Sequence, residues 1–229
     1  MKKLLFAIFA HPDDEAFGPS GTLVLEARSG TELHLVTLTS GQTGQNPDGH
    51  EDLGVVRLIE WHKAAKLMGA AKTHYLGYRD GQLCNNVLVE IQARLIKIVK
   101  EVVSQQDEPC EVEFMTIDDN GITGHIDHTV ASRAATFAFY TLKGTGNLPL
   151  TRIRYVCAPQ DVFPTHNIDW IYMPAGRTPE EIDEVVDARE VLDTVRQIIR
   201  CHHTQRADAE AHLSARADAV AINHFIVRN

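Results

Sequence analysis

Two short runs hold the residues of this chain best suited to chemistry. The first is Ala10-His11-Pro12-Asp13-Asp14-Glu15, which ends the continuously apolar stretch Leu4 to Ala10. A His and a carboxylate three residues apart on a tight turn can converge on one metal ion, while the carboxylate between them points elsewhere and stays free to handle protons. The second run is Gly124-His125-Ile126-Asp127-His128. If it opens a helix, His125 and His128 share a face at i and i+3. One can then bind metal with the other beside it, and Asp127 is placed to orient an imidazole. Two His plus one carboxylate, with a fourth position open, is the ligand set of hydrolytic zinc sites, whereas structural zinc is usually closed by Cys. Non-haem iron uses the same set, so Fe2+ or another divalent ion stays open beside Zn2+.

Such residues need rigid elements to aim them. Leu4 to Ala10 reads as a strand buried on both faces of a parallel sheet, and open α/β sheets take their ligands beyond the carboxyl ends of strands. Thr22 to Arg28 reads as a helix, Leu33 to Thr39 as a strand, and Ser40 to Leu53 as a long loop able to wall or cover a site. Val55 to Met68 has helical spacing, with Val55, Leu58 and Ile59 predicted inward and Lys63 and Lys66 outward. His74 to Gly77, Val112 to Ile117, Ile153 to Cys157 and Trp170 to Met173 are predicted strands. Val87 to Val103 and Asp127 to Tyr140 are predicted helices. Thr178-Pro179-Glu180-Glu181 looks like a helix start, leading a long helix through Arg200. Alternation of strand and helix predicts a single-domain, Rossmann-like three-layer αβα sandwich with a mostly parallel sheet, spanning residues 1–229.

Composition narrows the function. A formal charge of −9 among 229 residues argues against a nucleic-acid binder, which needs clustered Lys and Arg. Cys84, Cys110, Cys157 and Cys201 form no CxxC pair, so reduced thiols in a cytoplasmic protein are expected. Lys2-Lys3 and the apolar run after them imitate a signal peptide, but the run stops at His11, and nothing approaches the ~18 apolar residues of a membrane span.

The two motifs, together with Arg57 to Glu60, Ala64, Ala65, Gly69 and His202-His203-Thr204-Gln205, make the chain resemble the PIG-L/LmbE family of zinc-dependent de-N-acetylases over nearly its whole length. The resemblance implies that His11, Asp14 and His128 bind one zinc ion. It further implies that Asp13 is the general base and that His125 stabilises the intermediate or donates a proton. Asp127 is expected beside them, and Arg57 and His202 near the substrate. Ile126 stands where many relatives have Pro and Thr204 where many have Ser, neither being a position with a metal-binding atom. The implied reaction is removal of an acetyl group from an N-acetylated amino sugar, an N-acetylglucosamine derivative, by a metal-activated water.

Other readings compete. Arg57 and Glu60 are as readily a surface ion pair, and His202 as readily a helix-end imidazole. A dehydrogenase lacks its GxGxxG after Ala10. A metal-dependent hydrolase of another amide or a phosphoester, or a non-catalytic metal-binding module, remains the alternative, though such a module has no use for a spare carboxylate at Asp13. Which N-acetylated sugar is the substrate, and whether the chain forms a homo-oligomer, are open.

Overall fold

The computed structural model describes residues 1–146, 148–162 and 175–229; the predicted strand Trp170 to Met173 lies outside them. The first strand, β1 (Lys2–Phe9), is buried along nearly its whole length, as its unbroken apolar run requires. It is followed by α1 (Asp14–Phe17), α2 (Ser20–Arg28), β2 (Glu32–Thr39), α3 (Leu53–Met68) and β3 (Lys72–Tyr78). The chain continues through α4 (Asn85–Ser104), β4 (Cys110–Ile117), α5 (Ile126–Gly144) and β5 (Leu150–Cys157), and ends with β6 (Glu184–Asp187), α6 (Leu192–Cys201), α7 (Arg206–Arg216) and β7 (Ile222–Arg228).

The sheet order is β3-β2-β1-β4-β5-β7-β6. β1 to β5 run parallel, and β7 closes one side antiparallel to β5, with β6 antiparallel beyond it. The fold is thus a single-domain α/β sandwich with a mostly parallel sheet. One apolar layer joins α4 and α5 to one face through Phe6, Ile91, Phe114 and Phe139; the other joins α2, α3 and α6 to the opposite face through Leu5, Leu23, Trp61 and Ile198. Succession moves outward from β1 to β3 and then crosses to β4, so the order reverses between β1 and β4. At such a switch point the loops leaving the two strands diverge and open a crevice.

Two expectations fail, and two elements were not foreseen, each for a physical reason. The helix foreseen from Thr178 to Arg200 is broken. Thr178 and Glu181 do form a reciprocal capping box, but only one tight turn follows (Pro179–Glu181). The Ile182-to-Asp187 run is half β-branched and alternates in burial over Glu184–Asp187, completing the sheet edge as β6, and helix resumes at Leu192. Val55 and Ile59 on α3 are each 52% exposed rather than inward. The buried face carries Arg57, Glu60, Trp61, Ala64 and Met68, because two charged residues find partners inside. α7 and β7 had no sequence assignment: α7 is polar, and β7 interleaves Asn223 and His224 among its apolar residues.

Candidate active site

The turn after β1 is folded by its own carboxylates. Asp14 Oδ2 accepts the backbone N–H groups of Ala10 and His11 at 3.1 and 3.0 Å, and Glu15 Oε2 accepts that of Asp13 at 3.1 Å. Asp13 sits at φ 120°, a region that costs a non-glycine residue about 1–3 kcal/mol and persists only when the surroundings hold it. Besides Glu15, the N–H groups of Ala16 and Phe17 hold it by donating to its carbonyl. This turn sends the neighbouring carboxylates to different partners: Asp14 to two imidazoles, Asp13 to a guanidinium.

His128, in the first turn of α5, meets His11 across the crevice. His11 Nδ1 lies 3.1 Å from His128 Nε2, and Asp14 lies 3.1 Å from His128 Nε2 and 3.7 Å from His11 Nδ1. Ligand atoms at tetrahedral zinc distances are separated by about 3.3–3.4 Å, so this triangle has the dimensions of three ligand corners. The far nitrogens of both rings are committed elsewhere. His128 Nδ1 faces the Gly121 carbonyl at 3.0 Å, and His11 Nε2 faces Asp80 at 3.0 Å and Asp127 at 3.4 Å. In neutral rings those contacts take the only N–H, leaving two lone pairs pointed at each other, an arrangement that calls for a cation. These residues fit a divalent metal. Ring nitrogens of His11, His125 and His128 also come within 4.8 Å of one another, as do ligand atoms of His11, Asp80 and Asp127.

Burial disfavours charge on His11, but hydrogen bonds that the ring donates to Asp127, Asp14 and Asp80 outweigh it and raise its pKa well above the ordinary imidazole value. Burial likewise works against the charged form of Asp14, and His128 and His11 overcome it, holding the carboxyl well below the usual range. Asp80 is pinned by Thr43 through N–H and hydroxyl at 3.0 and 2.7 Å, and Asp127 by the N–H groups of Gly81 and Leu83 at 2.7 and 3.1 Å. His125 caps α5, its Nδ1 accepting the Asp127 N–H at 3.2 Å, and its ring stands edge-on to His11.

Asp13 is held from behind. Arg57 donates to Asp13 Oδ2 at 2.8 Å, to the Pro12 carbonyl at 2.7 Å and to the Gly41 carbonyl at 2.8 Å. Gly41, at φ 64°, has to be glycine, because a Cβ there would strike the guanidinium. Burial pushes the Asp13 carboxyl up to about 6, against the pull of Arg57. Glu60 accepts the N–H and hydroxyl of Thr204 at 2.9 and 2.7 Å, and His202 Nε2 lies 3.1 Å from Glu15 Oε1.

The structure therefore gathers His11, Asp13, Asp14, His125, Asp127 and His128 at the switch point. Arg57 stands behind Asp13, and His202, 0% exposed, lies behind Glu15 and meets no open space. Loop 40–52 forms a wall, tied by Asp48 to Arg206 and by the Gln45 carbonyl to Gln205. The sequence reading missed Asp80 and Glu15. Asp80 had a signal: like the two motifs, it is a carboxylate just beyond a strand end, followed by Gly81.

An α/β sandwich with a His/Asp set able to hold a metal at its switch point defines a class of α/β proteins with a candidate metal centre at the sheet's crevice. The chain belongs to the GlcNAc-PI de-N-acetylase (PIG-L) family, whose profile matches residues 6–139. It is 31% identical over 183 residues to the 1D-myo-inositol 2-acetamido-2-deoxy-alpha-D-glucopyranoside deacetylase of Salinispora arenicola (strain CNS-205), a match covering 69% of this chain and 57% of that protein. It is 27% identical to the enzyme of the same name from Acidothermus cellulolyticus, over 90% of this chain and 81% of the relative. In fold it resembles the N,N'-diacetylchitobiose deacetylase of Pyrococcus horikoshii, with TM-score 0.71 and 21% identity over 99% of this chain and 84% of the other. The 4-carboxy-2-hydroxymuconate hydratase of Pseudomonas putida KT2440 has a TM-score of 0.70 and 17% identity over 100% and 97%. The fold alone therefore does not select a reaction. Among the described residues no helix is long and apolar enough to cross a membrane.

Proposed function

We propose that the chain is a zinc-dependent hydrolase that removes the acetyl group from an N-acetylated amino sugar of the N-acetylglucosamine type. In this reading His11, Asp14 and His128 hold one Zn2+, and residues 1–229 act as one deacetylase domain in the cytoplasm. The observation that carries it is the pair of opposed imidazole nitrogens against Asp14, with the separately held carboxylate of Asp13 beside them. The names of the relatives support the substrate class.

A divalent cation held there supplies Lewis acidity, acidifying water and polarising an amide carbonyl. Asp13 is the general base. Its proton affinity, raised by burial, suits it to take a proton from the attacking water near neutrality and to return it to the departing nitrogen, so that acetate and a free amine leave. His125 accepts a backbone N–H on Nδ1, so its neutral ring carries the proton on Nε2 and can donate it in a hydrogen bond to the developing oxyanion. That favours oxyanion stabilisation over proton donation. Asp80 and Asp127 orient His11 and strengthen it as a ligand. Arg57 and His202 act as positioning residues, the first on the Asp13 carboxylate and the second through Glu15 on the Asp13 backbone; for His202 this replaces the expected substrate contact.

The test is acetate release from a panel of N-acetylated glucosamines by the purified protein, with and without chelation. Release that stops on chelation and returns with zinc is expected. No release from any member by protein with stoichiometric metal would overturn the reading.

A further inference from the structure

The crevice does not end at the opposed imidazoles. A cavity of about 210 Å³ runs from Asp14 and His128, past Phe17, Ile117, Ile122 and Val156, to a far wall formed by His212, Arg216, Asn223 and His224. His212 and Arg216 are one turn apart on α7 and so share a face. The far wall is cationic, and among the described residues no carboxylate is in ion-pair contact with it. Among the described residues Arg216 forms no ion pair; its Nη2 donates only to the carbonyls of Ala219 and Ile222, at 3.0 and 3.4 Å, and its Nε is buried without a partner. Asp161 acts on the guanidinium only from a distance. His212 Nε2 is also buried without a partner.

Every other half-buried or buried arginine among the described residues has an anion, Arg196 having Asp218 and Arg206 having Asp48. Arg57 has Asp13, Arg152 has Glu113 and Glu184, Arg154 has Glu26, and Arg177 has Asp118. A guanidinium left unpaired at low dielectric costs free energy that a bound anion recovers through charge-assisted hydrogen bonds. Immediately after Arg216 the backbone enters an unfavourable region, with Ala217 at φ 47°, and such strain collects where a side chain is held for a ligand. Burial pushes His212 down to about 4, so its imidazole is neutral and serves as a hydrogen-bonding wall rather than a second charge.

We propose that His212 and Arg216 form a subsite for an anionic substituent of the substrate, a carboxylate or a phosphate carried beyond the acylated amine, with the apolar walls of the cavity covering the part of the molecule between. The proposal rests on the deacetylase reading for its substrate and on the cavity alone for its anion.

The test compares methyl N-acetylglucosaminide, its carboxymethyl counterpart and N-acetylglucosamine 1-phosphate on zinc-loaded enzyme. The wild type should favour at least one anionic compound over the neutral one by about tenfold or more in kcat/KM, mainly through KM. That ratio should fall at least about tenfold in Arg216→Gln, which keeps a donor for the two carbonyls, and less in Arg216→Lys, which keeps the charge. The compound that loses most identifies the anion as carboxylate or phosphate. A wild type without preference, or a preference that survives Arg216→Gln in folded protein, overturns the subsite. If none of the three is hydrolysed, calorimetric binding of the carboxymethyl compound and of the 1-phosphate decides. Affinity that depends on Arg216 supports the subsite and counts against deacetylation of these sugars; affinity indifferent to Arg216, or absent, overturns it.

Discussion

Buried charge collects in two places along this sheet, and the two are balanced differently. Toward the N-terminal ends of β1 and β4, Glu26, Glu113 and Glu184 meet Lys3, Arg152 and Arg154, three anions against three cations, with Arg154 and Glu113 in direct contact. At the C-terminal ends, Asp13, Asp14, Asp80 and Asp127 meet one guanidinium, Arg57, and the remaining partners are imidazoles whose ring nitrogens face each other at 3.1 Å. The first cluster is complete as it stands. The second is anionic and lacks a cation, which is the condition a metal satisfies. Burial of charge alone therefore does not mark a site; an imbalance left by otherwise ordered groups does.

Chemistry separates the two clusters most sharply. Asp13→Asn should lower kcat about 10²–10⁴-fold with metal content unchanged, because it removes a base and not a ligand. Full activity in the variant, measured as acetate release, would take Asp13 out of the mechanism. At the other end the effect falls on stability. Glu113→Ala leaves Arg154, 1% exposed, short of a buried partner and should cost about 3–5 kcal/mol in urea unfolding, with kcat of the folded protein retained. A loss of activity without loss of stability would join two clusters that the account keeps apart.

Smaller effects sharpen the same contrast. Asp80→Asn should weaken metal binding about 10–100-fold while leaving one ion per chain, since Asp80 orients His11 from outside. Unchanged affinity would leave Asp127 as the sole orienting group. Away from both clusters, burial pushes His74 down to about 4. The unfolded chain then takes up a proton that the fold rejects, so this contribution to stability is complete above about pH 6.5 and is lost as the pH falls from there to about 4. His74→Gln should lose less stability over that window than the wild type. Parallel pH curves for the two proteins would remove His74 from the acid response.

Much of the crevice was legible in the sequence because its residues follow strand ends in short runs. His11 to Glu15 and Gly124 to His128 sit where an apolar run stops, and a parallel sheet brings such stops to one edge. Arg57, Glu60 and His202 were only half legible, because whether a charged helical residue faces inward depends on a partner distant in sequence, Asp13, Thr204 or Glu15. The break after Glu181 was masked by a genuine capping box, which starts a helix without fixing its length. Arg216 was illegible, since its significance is that no carboxylate among the described residues pairs with it directly.

The most direct measurement is calorimetric titration of zinc into metal-free protein, comparing wild type, His128→Ala and Asp13→Asn. The account predicts one ion per chain in the wild type and in Asp13→Asn, and no stoichiometric binding in His128→Ala. Absence of binding in the wild type, or an undiminished site in His128→Ala, would contradict it.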